Sequence, residues 1–437
     1  MNRPSAQELI RLLTDARART LELVGDLSDE QLMGPRLSIV NPLRWEIGHI
    51  AWFQENWVLR HLRKERPIRD DGDMLYDSAA VPHDTRWDLP LPSRGETLRL
   101  MQTVLDRVLE RLGSTALDEE VSYFHLLALC HEDMHAEAIT YTRQTLSYPR
   151  PEIALAKDAR PPETGGPLFG DVEIPGGVFM LGATPNSPFV FDNEKWAHPV
   201  EVRRFRIARA PVTNAEFLQF VEDAGYERRE FWSEEGWRWQ EDTAARHPAY
   251  WQHEANGRWL TRSYDQSVRL KDHHPVIHVS WYEADAYCRW AGRRLPTELE
   301  WEAAASATSK GDSLSREKRE FPWGDDPHSP NRANLDSRLV GLIDVAALPD
   351  SDSGFGCRQM IGNVWEWTAT DFSPYPGFVV DPYKEYSEPW FGSHKVLRGG
   401  CWATRSRLIR NSWRNFYTPD RRDVFAGFRT CALVPWR

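Results

Sequence analysis

The apolar residues of the first 150 positions recur at helical spacing. Leu9, Leu12, Leu13 and Ala16, followed by Leu21, Leu23 and Val24, form a stripe with a 3.6-residue period. Ser28-Asp29-Glu30 reads as a cap opening a second, short helix. A long helix is predicted from Pro42 to about Arg63, carrying Trp45, Ile47, His49, Trp52, Phe53 and Trp57. The segment Pro67–Pro92 is proline-rich and polar, and reads as an extended loop. Ser93-Arg94-Gly95-Glu96 has the capping-box pattern and precedes the periodic Leu98, Met101, Val104, Leu105, Val108, Leu109 and Leu112. A fourth long helix is predicted from about Leu117 to Leu146. Four long amphipathic helices joined in series predict a helix bundle.

Proline and glycine crowd the chain from Pro149 to Pro167, where neither helix nor strand is stable. Beyond that point the pattern changes to short segments such as Val178–Leu181 and Val200–Val202, separated by Gly, Pro, Asn and Asp. Helical islands are predicted at Asn214–Ala224, Tyr282–Arg289 and Glu298–Ala305. The expected organisation is a helical domain at 1–150, a linker at 151–168 and an irregular α+β domain at 169–437 held by tryptophan packing.

At 437 residues the chain is long enough for two cores, and its 20 tryptophans concentrate in the second half. A net charge of −11 argues against a sequence-independent grip on nucleic acid or anionic membrane. No run of 18 apolar residues predicts a membrane-spanning helix, and the first residues lack the apolar core of a secretory signal. The scattered Cys130, Cys288, Cys357, Cys401 and Cys431 read as buried reduced thiols, which fits a cytoplasmic protein.

Chemistry enters with His131-Glu132-Asp133-Met134-His135. Histidines four apart share one helix face and can grip one metal ion. His49 on the preceding long helix is the candidate third ligand. Three neutral imidazoles would leave a divalent ion its full charge and open positions for substrate or oxygen. Glu46 and Glu132 are candidates to orient the rings by accepting their N–H groups. Two rival readings stand beside this one: the His-Glu-x-x-His pattern of zinc proteases, with Glu132 as general base, and histidines with a purely structural role.

In the second half several motifs follow in order: Pro211-Val212-Thr213-Asn214, Pro275-Val276-Ile277-His278-Val279-Ser280-Trp281, Arg294-Leu295-Pro296-Thr297-Glu298, Phe321-Pro322-Trp323-Gly324, Gly362-Asn363-Val364-Trp365-Glu366-Trp367, Val396-Leu397-Arg398-Gly399-Gly400 and Ala426-Gly427-Phe428-Arg429. This series resembles the formylglycine-generating-enzyme-like (sulfatase-modifying-factor) domain, a C-type-lectin-like α+β fold, and most of its residues are expected to be structural. Cys401 and Cys431 do not occur in the context of that enzyme's cysteine pair. The first domain resembles the DinB-like four-helix bundle. The two in this order resemble the ergothioneine-type sulfoxide synthases, which implies a non-heme iron oxidoreductase with Fe(2+) held by His49, His131 and His135. The implied small-molecule substrates are hercynine, a chalcogen donor and O2, with bond formation at the imidazole C2.

The resemblance also implies where substrate would lie. Asn415 and Phe416 fall at hercynine-contacting positions, with Trp413 offering a further aromatic face for the trimethylammonium. Tyr375 and Tyr76 are the candidates for a proton-donating or relay tyrosine, and Phe378 is a rival occupant of that place. Arg421, Arg86 and Met134 are candidates for contact with substrate or donor. Where family members using γ-glutamylcysteine carry Asn-Trp-Asp, this chain has Asn415-Phe416-Tyr417, and a phenol supplies no negative charge at neutral pH. That departure, the His-Glu-Asp-Met-His helix and the loop Val81–Pro90 look most like the selenoneine synthase branch, which implies a selenosugar donor. A thiol donor, cysteine or γ-glutamylcysteine, is the alternative, and a non-catalytic binding module or zinc hydrolase is a more distant one.

Overall fold

The computed structural model describes residues 4–114, 116–162, 165–185 and 187–433. The chain forms two compact units: Met1–Ala154 with Asn186–Phe189, and Leu155–Pro185 with Val190–Arg437. Within the first unit, Phe189 is buried and meets Tyr123 at a ring-centroid distance of 5.4 Å. No local pattern predicts this return of the chain. The expected linker at 151–168 is tied at both ends: Ala154 donates its N–H to Glu22 in the first unit, and Gly166 to Asp344 in the second.

The first unit is a four-helix bundle. Its long helices are α1 (Ala6–Val24), α3 (Leu43–Gln54), α5 (Arg94–Gly113) and α6 (Glu119–Thr145); α2 (Asp29–Met33) and α4 (Gly72–Tyr76) are short. Ser28 and Ser93 each close a capping box, and Asp118 caps α6. Helix α3 is buried on every side except at Arg44, as an apolar helix without a polar face must be. It passes into a π-helical stretch at Glu55–His61, so the long helix expected to Arg63 is not α-helical throughout. The expected loop 67–92 contains α4 and a 3-10 turn at His83–Thr85.

The second unit is an irregular α+β domain. One antiparallel sheet orders the strands 171–174, 205–208, 431–432 and 293–294. Another orders 415–417, 395–398, 365–371 and 426–427, the last pair parallel. The predicted islands appear as Asn214–Glu222, Trp281–Trp290 and Glu298–Ser306. A helix at Glu234–Thr243 was missed because its apolar residues are two tryptophans among charges, with Gly236 inside.

The ordered motifs of this unit pair with one another. Arg398 is fully buried between Glu298 and Glu302, and Arg429 sits on Glu366, which also accepts the Trp301 indole N–H. The amide of Asn363 reaches Ile343, Asn334 and Gln359. All five cysteines are buried, and no two form a disulfide among the described residues. No helix of the described residues is long and apolar enough to cross a membrane.

Candidate metal centre

Helices α3 and α6 bring His49, His131 and His135 together, with one nitrogen of each within 4.8 Å of the others. The Nε2 atoms of His49 and His135 lie 3.2 and 3.1 Å from that of His131. Such spacings are what pairs of metal–nitrogen bonds of about 2.1 Å, set near a right angle, would span.

The surroundings fix which nitrogen carries the proton. His49 Nδ1 lies 2.7 Å from the Tyr76 carbonyl, and His135 Nδ1 meets the Glu46 carboxylate. Both partners are acceptors, so both Nδ1 atoms donate and both Nε2 atoms present lone pairs to His131. One proton on His131 Nε2 can satisfy at most one of them. The remaining close nitrogen pair calls for a cation, and neutral imidazoles suit iron among the divalent metals. The donor set therefore fits Fe(2+).

Electrostatics agree with neutral rings at His49 and His131. Burial pushes the His49 imidazole down to about 3, reinforced by the charge of His135. Burial also holds His131 well below its ordinary value, with His135 and His49 adding to it. Burial alone would raise the Glu46 carboxyl, but His135 and the Asn41 amide together bring it down to about 2. A carboxylate that stays ionised there keeps its grip on the His135 N–H.

The spacing Pro42-x-x-Trp45-x-x-Gly48-His49 has a local cause. Trp45 Nε1 donates to the Leu75 carbonyl at 2.7 Å, and a Cβ on Gly48 would collide with the Tyr76 ring. Together they dock α4 so that the carbonyl of Tyr76 reaches His49. The rings are clamped by stacking: Trp45 on His49 at 4.8 Å and 9°, Phe53 on His131 at 3.5 Å and 4°. Tyr76 is a candidate for its hydroxyl, but the contact it makes with His49 is through its backbone carbonyl.

Glu132 is a correction. It faces away from the histidines, accepting from Arg17 Nε at 2.8 Å and Thr20 at 2.9 Å, and is 1% exposed. It neither orients a ring nor has access to water, so the protease-type general base is excluded. His125, six residues before His131, turns to the Val121 carbonyl. Met134, next before His135 in the sequence, is half-buried. Arg86 is 8% exposed, donates to Asn41 at 2.7 Å and to the Val81 carbonyl at 3.2 Å, and lies over Trp45 at 3.9 Å.

The other candidates lie in the second unit. Asn415 folds its side-chain oxygen onto the Phe416 N–H at 2.8 Å, and Phe416 stacks on Phe372 at 4.0 Å. Trp413 is buried against Trp365, its indole N–H without a hydrogen bond. Tyr417 is half-buried with the Arg421 guanidinium 5.1 Å from its ring centre, and Arg421 holds Asp423 through two bonds of 2.6 Å. Tyr375 is buried beneath Arg414, its hydroxyl without a hydrogen bond, and burial pushes that phenol well above its ordinary value. Phe378 packs edge-on against Phe391.

Comparison with known proteins agrees with this two-part arrangement. Residues 157–433 match the sulfatase-modifying factor enzyme 1-like domain, and residues 12–139 match the DinB superfamily. The hercynine oxygenase of Mycolicibacterium thermoresistibile is 38% identical over 435 residues, covering 98% of this chain and 95% of that protein. That of Mycobacterium tuberculosis is 36% identical over 429 residues, covering 97% and 98%. The formylglycine-generating enzyme of Streptomyces coelicolor is 32% identical over 307 residues, but this similarity covers only 64% of this chain. Similarity through both units, and not the second alone, decides the family: the chain is an enzyme of the hercynine oxygenase, or ergothioneine-type sulfoxide synthase, family.

Proposed function

We propose that this enzyme joins a selenosugar to C2 of the hercynine imidazole in an iron(II)- and O2-dependent reaction, giving a hercynyl selenoxide on the way to selenoneine. The observation that carries the reading is the three-histidine cluster with its fixed tautomers, in a chain similar along its length to hercynine oxygenases. The reaction balances without a further reductant. The imidazole C–H and the Se–H bonds are broken, one oxygen atom ends on selenium, and the other leaves with both hydrogens as water.

His49, His131 and His135 would hold the iron, which when bound supplies O2 activation and a common point of attachment for the reactants. Glu46 and the Tyr76 carbonyl keep two of those rings in the required tautomer. Asn415, Phe416 and Trp413 would hold hercynine, the aromatic faces meeting a cation that offers no N–H donor. Tyr375 would hold the proton returned during the reaction, since its buried hydroxyl is not committed to another group; Tyr76 is the second candidate.

The choice of donor rests on position 417. An ammonium-bearing thiol needs a carboxylate partner there, and this chain offers a phenol beside an arginine already paired with Asp423. A neutral sugar makes no such demand. The sulfur reading, with cysteine or γ-glutamylcysteine as donor, keeps all the other assignments. Competition between selenosugar and γ-glutamylcysteine on iron-loaded enzyme with hercynine and O2 separates the two. Product carrying selenium in excess is expected, and preferential thiol use would overturn the donor assignment. Tyr417→Asp is expected to move the ratio at least tenfold toward the thiol.

A further inference from the structure

Two separate chains of contact run from Arg86 to the histidine cluster. The first is hydrogen-bonded: Arg86 Nη1 donates to Asn41 Oδ1 at 2.7 Å, the Asn41 amide donates to Glu46 Oε1 at 2.5 Å, and Glu46 Oε2 meets His135 Nδ1. The second is stacked: the guanidinium lies 3.9 Å from the Trp45 ring centre, and Trp45 stacks on His49. Arg86 thus addresses two of the three rings, on two different helices, from a loop outside both. Its second Nη donates to Val81 of that same loop.

We propose that Arg86 is a positioning residue for the metal centre, which locks the loop 77–92 against α3 and thereby fixes the orientation of His135 and His49. The argument is geometric. An asparagine side chain can turn its amide either way, and only its oxygen is acceptor enough for a guanidinium. With Arg86 on Oδ1, the NH2 must point to Glu46, and both carboxylate oxygens are then occupied. Without Arg86 the amide is free to rotate and Glu46 to leave the His135 N–H. The planar guanidinium is also needed for the stack, which lysine cannot reproduce. This reading adds to the role in donor contact that the resemblance implied for Arg86: both Nη groups and the flat face are engaged inside the helical unit, and Nε alone is without a hydrogen bond.

The test uses the full chain loaded with cobalt(II), read by its visible absorption and by chelator competition, with no hercynine, donor or oxygen present. Arg86→Met and Arg86→Lys are both expected to weaken cobalt binding about 10–100-fold, the range for lost partners of metal-bound histidine, and to alter the absorption bands. Asn41→Ala cuts the hydrogen-bonded route while leaving Arg86 and its stack, and is expected to give a smaller loss with a similar spectral change. It also serves if Arg86→Met fails to fold. A spectrum and affinity within twofold of the parent in Arg86→Lys and Asn41→Ala would overturn the proposal. This inference rests on the three histidines holding the metal, which His135→Ala checks separately. If that variant keeps the cobalt spectrum, the metal assignment itself fails. If it loses the spectrum while the Arg86 variants keep theirs, only the positioning role falls.

Discussion

The polar core of the second unit and the histidine cluster of the first bury polar groups in opposite ways. In the second unit, buried anions meet cations: Arg398 with Glu298 and Glu302, Arg414 with Glu298, Lys318 with Glu302, Arg410 with Glu194, and Arg429 with Glu366. In the first, Arg17 with Glu132 follows the same rule, but the histidine cluster does not. There, three ring nitrogens converge, and a single proton on His131 can satisfy only one of its two neighbours. Complementary buried groups complete one another and act as scaffold; like groups held together by rigid elements are incomplete without something from outside. The comparison distinguishes a polar core from a ligand site even though both are rich in buried ionisable residues.

The largest effect should come from breaking complementarity. Arg398→Ala removes the cation that Glu298 and Glu302 share, at a cost of about 3 kcal/mol, the low end for a broken buried pair because Arg414 and Lys318 each still hold one carboxylate. Urea unfolding should show early loss of the second unit, while cobalt binding by any remaining folded helical unit is retained. Loss of less than about 1 kcal/mol would mean that the pairs contribute little beyond their own desolvation.

The histidine cluster should respond to acid instead. His49 and His131 are held neutral in the fold, His49 titrating near 3, against an ordinary value near 6.5 when unfolded. The unfolded chain therefore takes up more protons below pH 6.5, and the stability of the metal-free protein falls as pH drops from 6.5 toward 3. Each such group contributes a slope of about 1.4 kcal/mol per pH unit within that window. His278 and His274 in the second unit, also depressed by burial, add to the same slope. His131→Ala should flatten the slope between pH 6 and 5 by about one group's share, besides abolishing tight cobalt binding. An unchanged slope in unfolding midpoints would mean that His131 is not buried neutral.

The smallest effect sharpens the contrast by touching neither kind of cluster. Ser93→Ala removes the capping box of α5 and is expected to cost about 1 kcal/mol in thermal unfolding, with the cobalt spectrum unchanged. A spectral change there would show that the site senses the bundle's general stability, weakening the case that specific contacts hold it.

How much of this was legible beforehand differs by residue. Helix starts at Ser28 and Ser93 and the pair on α6 follow from local rules of capping and periodicity, which need no distant partner. The π-helical turn after Gln54 and α4 inside an apparent loop do not, because both are stabilised by what they pack against. Glu132 and Glu46 looked equivalent in the sequence: each is an acidic residue close to a histidine on a helix. Only the packing of α1 separates them, because Arg17 claims Glu132 and leaves Glu46 to His135.

The two-part organisation, the long helices and the three imidazoles are written into the chain, because periodicity, breakers and ordered motifs are properties of neighbours along it. The tertiary structure decided which ring nitrogens carry protons, which carboxylate serves a histidine, and what Arg86 holds. Those depend on contacts such as Tyr76 to His49 and Glu46 to His135, made between residues 27 and 89 positions apart. A hydrogen bond across that distance is set by how helices pack, and no local pattern records it.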